Sequence, residues 1–211
     1  MISYSPSVVT NGLKLYLDAG NVKSYPGTGT VWTDISGNGN NATLYNGPTY
    51  SSANGGSLVF DGVNDYAEGL MNIVAGSAFT TNTWFNITNN SREQHLTNLW
   101  PSTQFYVASA ALRTSNYGAL VGGSVSASVW YMASQVRAAD GSGVLYLNGV
   151  SVATGTLPSN PQCNGYTIGN FVGGGSYYFG GYISMSQIYN RALTAAEITQ
   201  NFNALRGRYG L

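Results

Sequence analysis

The chain has 211 residues, the size of one generous domain or two small ones. Only 8% are Asp, Glu, Lys or Arg, and eight acidic against eight basic residues leave no formal net charge. Six Arg and two Lys scattered along the chain form no basic stripe able to neutralise phosphates, which excludes a nucleic-acid binder. Charged heptads are absent, which excludes a long coiled coil. Disorder is excluded too, because 43% of residues are apolar, including 16 Tyr, 7 Phe and 4 Trp. Solubility rests instead on 28 Gly, 23 Ser, 22 Asn and 18 Thr, a composition that suits short strands joined by turns.

Met1–Pro6 lacks the basic and apolar regions of a secretory signal, so synthesis in a cytoplasm without an export address is expected. No apolar run reaches the ~18 residues of a membrane span, and no membrane insertion is expected. Residues 1–12 read as an N-terminal arm of mixed character (Ile2, Tyr4, Pro6, Val8, Val9), and 13–211 as one domain. In Gly12-Leu-Lys-Leu-Tyr-Leu-Asp18 the leucines alternate with Lys14, Tyr16 and Asp18, the pattern of a half-buried strand. Ser24–Asn41 is crowded with turn formers and predicts a long loop. Short strands are expected near Ala42–Tyr45, Ser57–Phe60, Tyr66–Glu68 and Ala78–Thr88, then Leu96–Trp100, Gln104–Ala110, Tyr117–Val121 and Val129–Val136.

Val144-Leu-Tyr-Leu-Asn-Gly-Val-Ser-Val-Ala153 is a hairpin signal, since Asn148-Gly149 suits the two positive φ angles of a type I′ turn. Late strands are expected around Tyr166–Gly169 and Phe179–Tyr189. Only one helix is predicted, opened by the capping box Thr194-Ala-Ala-Glu197 and carrying Ile198, Phe202 and Leu205 on one face. Many short strands with one short C-terminal helix predict an all-β, antiparallel sandwich. Asp34, Ser36 and Asn38 are expected to hold their own loop, and Asp61 and Asp65 the turn at Gly62. Arg191 is expected to anchor the start of the helix, and Trp32, Tyr66 and Tyr189 to lie in the core. Cys163, the lone cysteine, excludes an intrachain disulfide and reads as a small buried filler.

Five landmarks carry a family resemblance. They are Gly12-Leu-Lys-Leu-Tyr-Leu-Asp-Ala-Gly20, Trp32-Thr-Asp-Ile-Ser-Gly-Asn-Gly-Asn-Asn-Ala-Thr-Leu44 and Ser57-Leu-Val-Phe-Asp-Gly-Val-Asn-Asp-Tyr66, followed by Gly143-Val-Leu-Tyr-Leu-Asn-Gly149 and Gly181-Tyr-Ile-Ser-Met-Ser-Gln-Ile-Tyr-Asn-Arg-Ala-Leu-Thr194. In this order they resemble the concanavalin-A-like (laminin-G-like) jelly-roll lectin/glucanase superfamily, from about Leu13 to Leu205. Asp18-Ala-Gly-Asn21, Ser24-Tyr-Pro-Gly27 and Ile198-Thr-Gln-Asn-Phe-Asn-Ala-Leu205 are similar to versions in structural proteins of tailed bacteriophages. The resemblance implies a jelly-roll fold and a surface protein of the virion, released by lysis.

Glucanases of this fold carry alternating carboxylates on one strand. Here the only glutamates are Glu68, Glu93 and Glu197, and no strand has carboxylates at i and i+2, so no enzyme and no catalytic residue is expected. His95, in Glu93-Gln-His95, is the single histidine and reads as part of an exposed polar loop. Relatives often carry an acidic residue where Ser184 stands, near the loop of Asp34. No cofactor is therefore expected, and structural calcium is left open. For a glycan the candidates are Asn170, Tyr177 and Tyr178, in the glycine-rich loop Asn170-Phe-Val-Gly-Gly-Gly-Ser-Tyr-Tyr178, and Trp100; Pro101 and Tyr117 come next. For assembly the candidates are Ile2, Tyr4 and Val8, which would add an extended segment to a neighbour's sheet edge. Two functions are carried forward: a non-enzymatic virion surface protein (capsid decoration or tail or head fibre) contacting itself or a coat or tail protein, and a carbohydrate-binding module for a host-surface polysaccharide.

Overall fold

The computed structural model describes residues 6–74, 76–100, 103–115, 120–157, 162–171 and 177–211. In chain order the strands are β1 (Leu13–Asp18), β2 (Val31–Trp32), β3 (Ala42–Tyr45), β4 (Thr49–Ser51), β5 (Ser57–Asp61) and β6 (Tyr66–Ile73). Then come β7 (Phe79–Ile87), β8 (Gln94–His95), β9 (Thr97–Trp100), β10 (Gln104–Ala108), β11 (Ala111–Ser115) and β12 (Val121–Ser124). The last strands are β13 (Trp130–Arg137), β14 (Ser142–Leu147), β15 (Val150–Thr156), β16 (Cys163–Ile168) and β17 (Gly180–Tyr189), before the helix α1 (Ala195–Leu205). The strand pairs among the described residues are antiparallel, as the all-β reading requires.

One layer is a sheet in the order β15-β14-β13-β7-β17-β5-β4. The long β17 also pairs with β1, so β5 lies against its first half and β1 against its second half on the same side. The other layer holds the sheet β2-β3-β6-β16-β9 and the smaller β12-β11-β10-β8. Between the layers lie Leu15, Leu17, Trp32, Phe60, Phe85, Phe105, Tyr166 and Ile183, all at most 2% exposed. A run of hydroxyls crosses this apolar space: Thr83 Oγ1 lies 2.7 Å from Thr97 Oγ1, which lies 2.8 Å from Ser186 Oγ. It satisfies three groups that would otherwise be buried without partners, and it joins the two layers.

The helix covers part of the outer face of the larger sheet. Its capping box forms as the sequence predicts, with Thr194 Oγ1 accepting from Glu197 N (3.3 Å) and Glu197 Oε2 from Thr194 N (2.8 Å). Arg191 adds two bonds to Glu197, at 2.6 and 2.9 Å. The guanidinium, helped by the cap, holds the Glu197 carboxyl at about 2. Ile198 is buried against Met185 and Tyr189, and Phe202 stacks on Trp84 at 5.6 Å. Ser7–Asn11, from the expected arm, lies on this same domain. Val9 N donates to Asn201 Oδ1 (2.8 Å), and Val9 O accepts from Tyr189 OH (2.9 Å). Val8 is half-buried there, while Ile2 and Tyr4 lie outside the described residues.

Local signals give most of these elements. Asn148 and Gly149 take φ of 52° and 81°, the I′ turn joining β14 to β15. Asp34 accepts from Tyr16 N, Ser36 N and Asn40 N, and Asp61 from Val63 N and Asn64 N, so both serve their loops. The structure departs from expectation around Tyr117–Val121. Residues 116–119 lie outside the described part, and the strand there is Val121–Ser124. Tyr66 is also displaced from the core: alternation along β6 turns it outward, half-buried.

Candidate functional site

Along β6, Ala67, Met71 and Ile73 enter the core, so Tyr66, Glu68, Leu70 and Asn72 point to the opposite, outer face. Strand register aligns Thr43, Glu68, Thr167 and Asn98 in one row across β3, β6, β16 and β9. The adjoining row is Leu70–Gly165–Trp100, with a buried Gly165 between the exposed Leu70 (77%) and Trp100 (39%). On the other side of Glu68, the Tyr45 and Tyr66 rings stack 4.7 Å apart at 10°. A groove of about 380 Å³ runs here, lined by Asn40, Asn41, Thr43, Tyr45, Glu68 and Leu70. Burial, with Glu68, Tyr45 and Tyr178 nearby, raises the Tyr66 hydroxyl, so it stays protonated and able to donate.

Beside this sheet, β8 and β10 build a second group. His95 is not in an exposed loop: it sits in β8 with its side chain fully buried. The polar stretch was misleading because Gln94 and His95 pair with Val107 and Tyr106 of β10, and Gln94 Oε1 accepts from Gly180 N (2.7 Å). The His95 ring stacks with Tyr106 (5.1 Å) and Phe171 (5.5 Å) and meets Tyr177 at 5.4 Å. Its Nδ1 lies 3.1 Å from Asn98 Oδ1 and its Nε2 3.0 Å from Glu93 Oε1. Burial lowers the pKa below 6.5, while the bonds to Glu93 and Asn98 oppose that fall. Asn98 Nδ2 and Thr167 Oγ1 both donate to Asn170 O at 2.7 Å, pinning Asn170 two residues beyond β16.

The sequence candidates therefore gather on one side of the molecule. Asn170 is buried, with its carbonyl doubly bonded and its Oδ1 without a partner among the described residues. Tyr177 lies on His95, Tyr178 is half-buried near Tyr66, and Trp100 stands on the same outer face. Residues 172–176, with Pro101 and Tyr117, lie outside the described part. Sequence reasoning missed Tyr45, Tyr66 and Glu68 as members of the face, and His95 and Tyr106 as the buried group beside it. The alternation in Tyr66-Ala-Glu-Gly-Leu-Met-Asn-Ile73 was a usable signal for two of them.

Aromatic faces beside amides, hydroxyls and one carboxylate suit the C–H surfaces and hydroxyls of a sugar. Hydrolytic machinery is a poorer fit. Asp18, Asp34, Asp61, Asp65, Asp140 and Glu197 already bind arginines, backbone amides or hydroxyls. That leaves Glu68 in the groove and Glu93 on His95. No group of three or more His, Cys, Asp or Glu that could hold a metal occurs among the described residues. The calcium left open by the sequence also meets a poor donor set. Asp34 is used by its loop, and Ser184 Oγ donates to Gly56 O (2.6 Å) and accepts from Tyr209 and Arg208. The Arg208 guanidinium already reaches Asp18, Gly55 O and Ser184, so these oxygens do not fit an added cation.

This is the architecture of a concanavalin-A-like jelly roll, an antiparallel sandwich of two layers. The sequence model of the Concanavalin A-like lectin/glucanases superfamily matches residues 61–199, and the chain belongs to that superfamily. No curated protein matches it. Among solved structures, the binding domain of Paraclostridial Mosquitocidal Protein 1 superposes with TM-score 0.74 at 15% identity, covering 92% of this chain and 52% of that one. A Trypanosoma rangeli sialidase in complex with sialic acid gives 0.72 at 19%, covering 98% and 36%. Domain 4 of AbnA, a GH43 extracellular arabinanase from Geobacillus stearothermophilus, in complex with arabinotriose, gives 0.71 at 15%, covering 90% and 97%. The chain thus spans about half of the first structure and about a third of the sialidase, but nearly all of the arabinanase domain.

Proposed function

We propose that the chain is a non-catalytic, glycan-binding lectin-like domain whose binding face is the outer surface of β3 and β6, with Trp100 of β9 at its margin. The observation that carries this reading is the Tyr45–Tyr66 stack beside Glu68 in the groove, with Leu70 and Trp100 continuing the face. Glu68 accepts no hydrogen bond from a described residue, so its oxygens are available to sugar hydroxyls. The arabinanase domain, determined with arabinotriose, shares the fold over nearly its full length. A glycan array with the whole chain tests the reading. Binding to one or more polysaccharides, weakened by Tyr45→Ala and by Glu68→Gln, is expected. Binding that both variants leave unchanged would move the site elsewhere.

The particular setting proposed is the surface of a tailed-phage virion, with a host-surface glycan as ligand and a coat or tail protein, or further copies of the chain, as partner. It is supported by the wording of Asp18-Ala-Gly-Asn21, Ser24-Tyr-Pro-Gly27 and Ile198–Leu205. A mass-spectrometric census of purified particles should find the chain in stoichiometric amount. Its absence from washed particles would reject this setting while leaving the glycan reading intact.

A further inference from the structure

We infer a second saccharide pocket on the opposite side of the sandwich, beyond the edge of the helix. It shares a ligand class with the face above but none of its residues. Strand register places Val59, Tyr182, Asn86 and Trp130 in a single row across β5, β17, β7 and β13, on the outer face of the larger sheet. The Trp130 and Tyr182 rings lie 6.3 Å apart, inclined at 50°, with the half-buried Asn86 between them in the row. A cavity of about 380 Å³ opens here, closed at its sides by Ser57, Asn54 and Ser128.

Two groups in this cavity lack partners among the described residues. Ser57 is 1% exposed, and its hydroxyl makes no hydrogen bond to any of them. The Asn86 amide makes none to a described residue either, although its backbone is fully engaged in the sheet. A buried hydroxyl without a partner destabilises a fold, so such groups call for a bonding partner. The lining carries no Asp, Glu, Lys, Arg or His. An anion would find no cation there, and a cation no carboxylate. What the lining offers is two aromatic surfaces, amides and hydroxyls, and the volume lies at the small end of ligand pockets. The class that fits is an uncharged pyranose or furanose residue, as a monosaccharide or the end of a neutral chain.

Two-dimensional NMR of the whole chain, titrated with glucose, galactose, arabinose and their disaccharides, tests the inference. At least one sugar should shift the backbone amides of Asn86, Tyr182 and Ser128. Asn86→Ala should weaken that binding by about tenfold or more. Ser57→Ala should weaken it as well while leaving the melting temperature unchanged or raised, because it removes an unpaired hydroxyl. Tyr45→Ala should leave these shifts intact, which separates the two faces. The pocket is overturned if no sugar of the panel moves the three amides, or if Asn86→Ala and Ser57→Ala both bind as the wild type does. Equal binding of glucuronic acid would overturn the assignment to uncharged ligands.

Discussion

Arg208 grips Asp18 across 190 residues of chain, with Nη1 3.0 Å from Oδ2 and Nη2 2.7 Å from Oδ1. The same guanidinium donates to Gly55 O (3.0 Å) and Ser184 Oγ (3.2 Å), so one cation ties β1, the turn before β5, and β17 to the C-terminal turn. Glycine is required beside it: a Cβ on Gly20 would overlap both the guanidinium and Gly55 O. A register shift in β17 helps, because it lets Ser184 and Met185 both serve the outer face. The neighbouring Tyr209 stacks on Trp84 at 4.1 Å and donates to Ser184 Oγ at 2.8 Å.

The first prediction follows from that pair. Both side chains are largely buried, 17% and 8% exposed, so removing one leaves a poorly solvated charge. Arg208→Met should cost about 3 kcal/mol, a fall of roughly 6–12 °C at about 2–4 °C per kcal/mol. A chelator should leave the wild-type melting temperature unchanged, because the oxygens of Asp18, Gly55 and Ser184 are already bonded to Arg208 and Tyr209. A collapse of tens of degrees on chelation would mean that a metal ion, and not the guanidinium, holds this corner.

His95 supplies a pH dependence. Both ring nitrogens face oxygens that accept, Asn98 Oδ1 and Glu93 Oε1, and the Asn98 assignment is fixed by Phe105 N donating to the same oxygen at 2.8 Å. A neutral ring satisfies one of them, yet burial dominates and lowers the pKa below 6.5. The unfolded chain therefore binds the proton more readily than the folded one. Stability is fully present above pH 6.5 and is lost as pH falls from there through the folded value. Thermal melts between pH 7.5 and pH 5 should show this slope, and His95→Gln should flatten it. An unchanged slope in that variant would assign the titration to another group.

The elements that were legible in the sequence are those whose cause is local. Alternating leucines make β1, Asn148-Gly149 makes its hairpin, and Thr194 with Glu197 makes the cap; each needs only neighbours in sequence. The arrangement at His95 needs Tyr106, Phe171 and Tyr177, which arrive from two other parts of the chain. A polar run around a histidine looks like a loop until β10 supplies the pairing. The Tyr45–Tyr66 stack likewise depends on the register of β3 with β6, and the Arg208 grip on a residue from the opposite end. Tyr177 and Tyr178 are legible as part of a glycine-rich segment, but that Tyr177 meets His95 and Tyr178 nears Tyr66 depends on the sheet.

The N-terminal segment gives a third prediction. Val9 is 8% exposed and exchanges hydrogen bonds with Asn201 and Tyr189 under the helix. Deleting residues 1–10 should uncover these groups and cost about 2–4 kcal/mol, from one buried aliphatic side chain and two hydrogen bonds. Deleting residues 1–6 should melt as the full chain does, because the bonds at Val9 and that from Gln200 Nε2 to Ser7 O stay in place. If the longer deletion melts at the wild-type temperature, the docked segment contributes nothing to the fold.

The last prediction is that the domain releases no reducing ends from polysaccharides, including any it binds. Retaining hydrolysis requires two carboxyl groups about 5–5.5 Å apart, and inverting hydrolysis about 6.5–9.5 Å, with the scissile bond between them. Six of the eight carboxylates are tied to arginines, loop amides or hydroxyls, and the remaining two have different surroundings. Glu68 lines the groove beside Tyr45, whereas Glu93 is held by the buried ring of His95. Asp65, whose carboxyl burial raises, accepts from Asp61 N in the turn between β5 and β6 and so serves that turn. Incubation with β-glucans, arabinans and bacterial capsular polysaccharides, read by reducing-end assay, should stay at the blank. Release that disappears in Glu68→Gln and in Glu93→Gln would make this face an active site. Release that survives both would place catalysis on carboxylates that the hydrogen bonding assigns to structure.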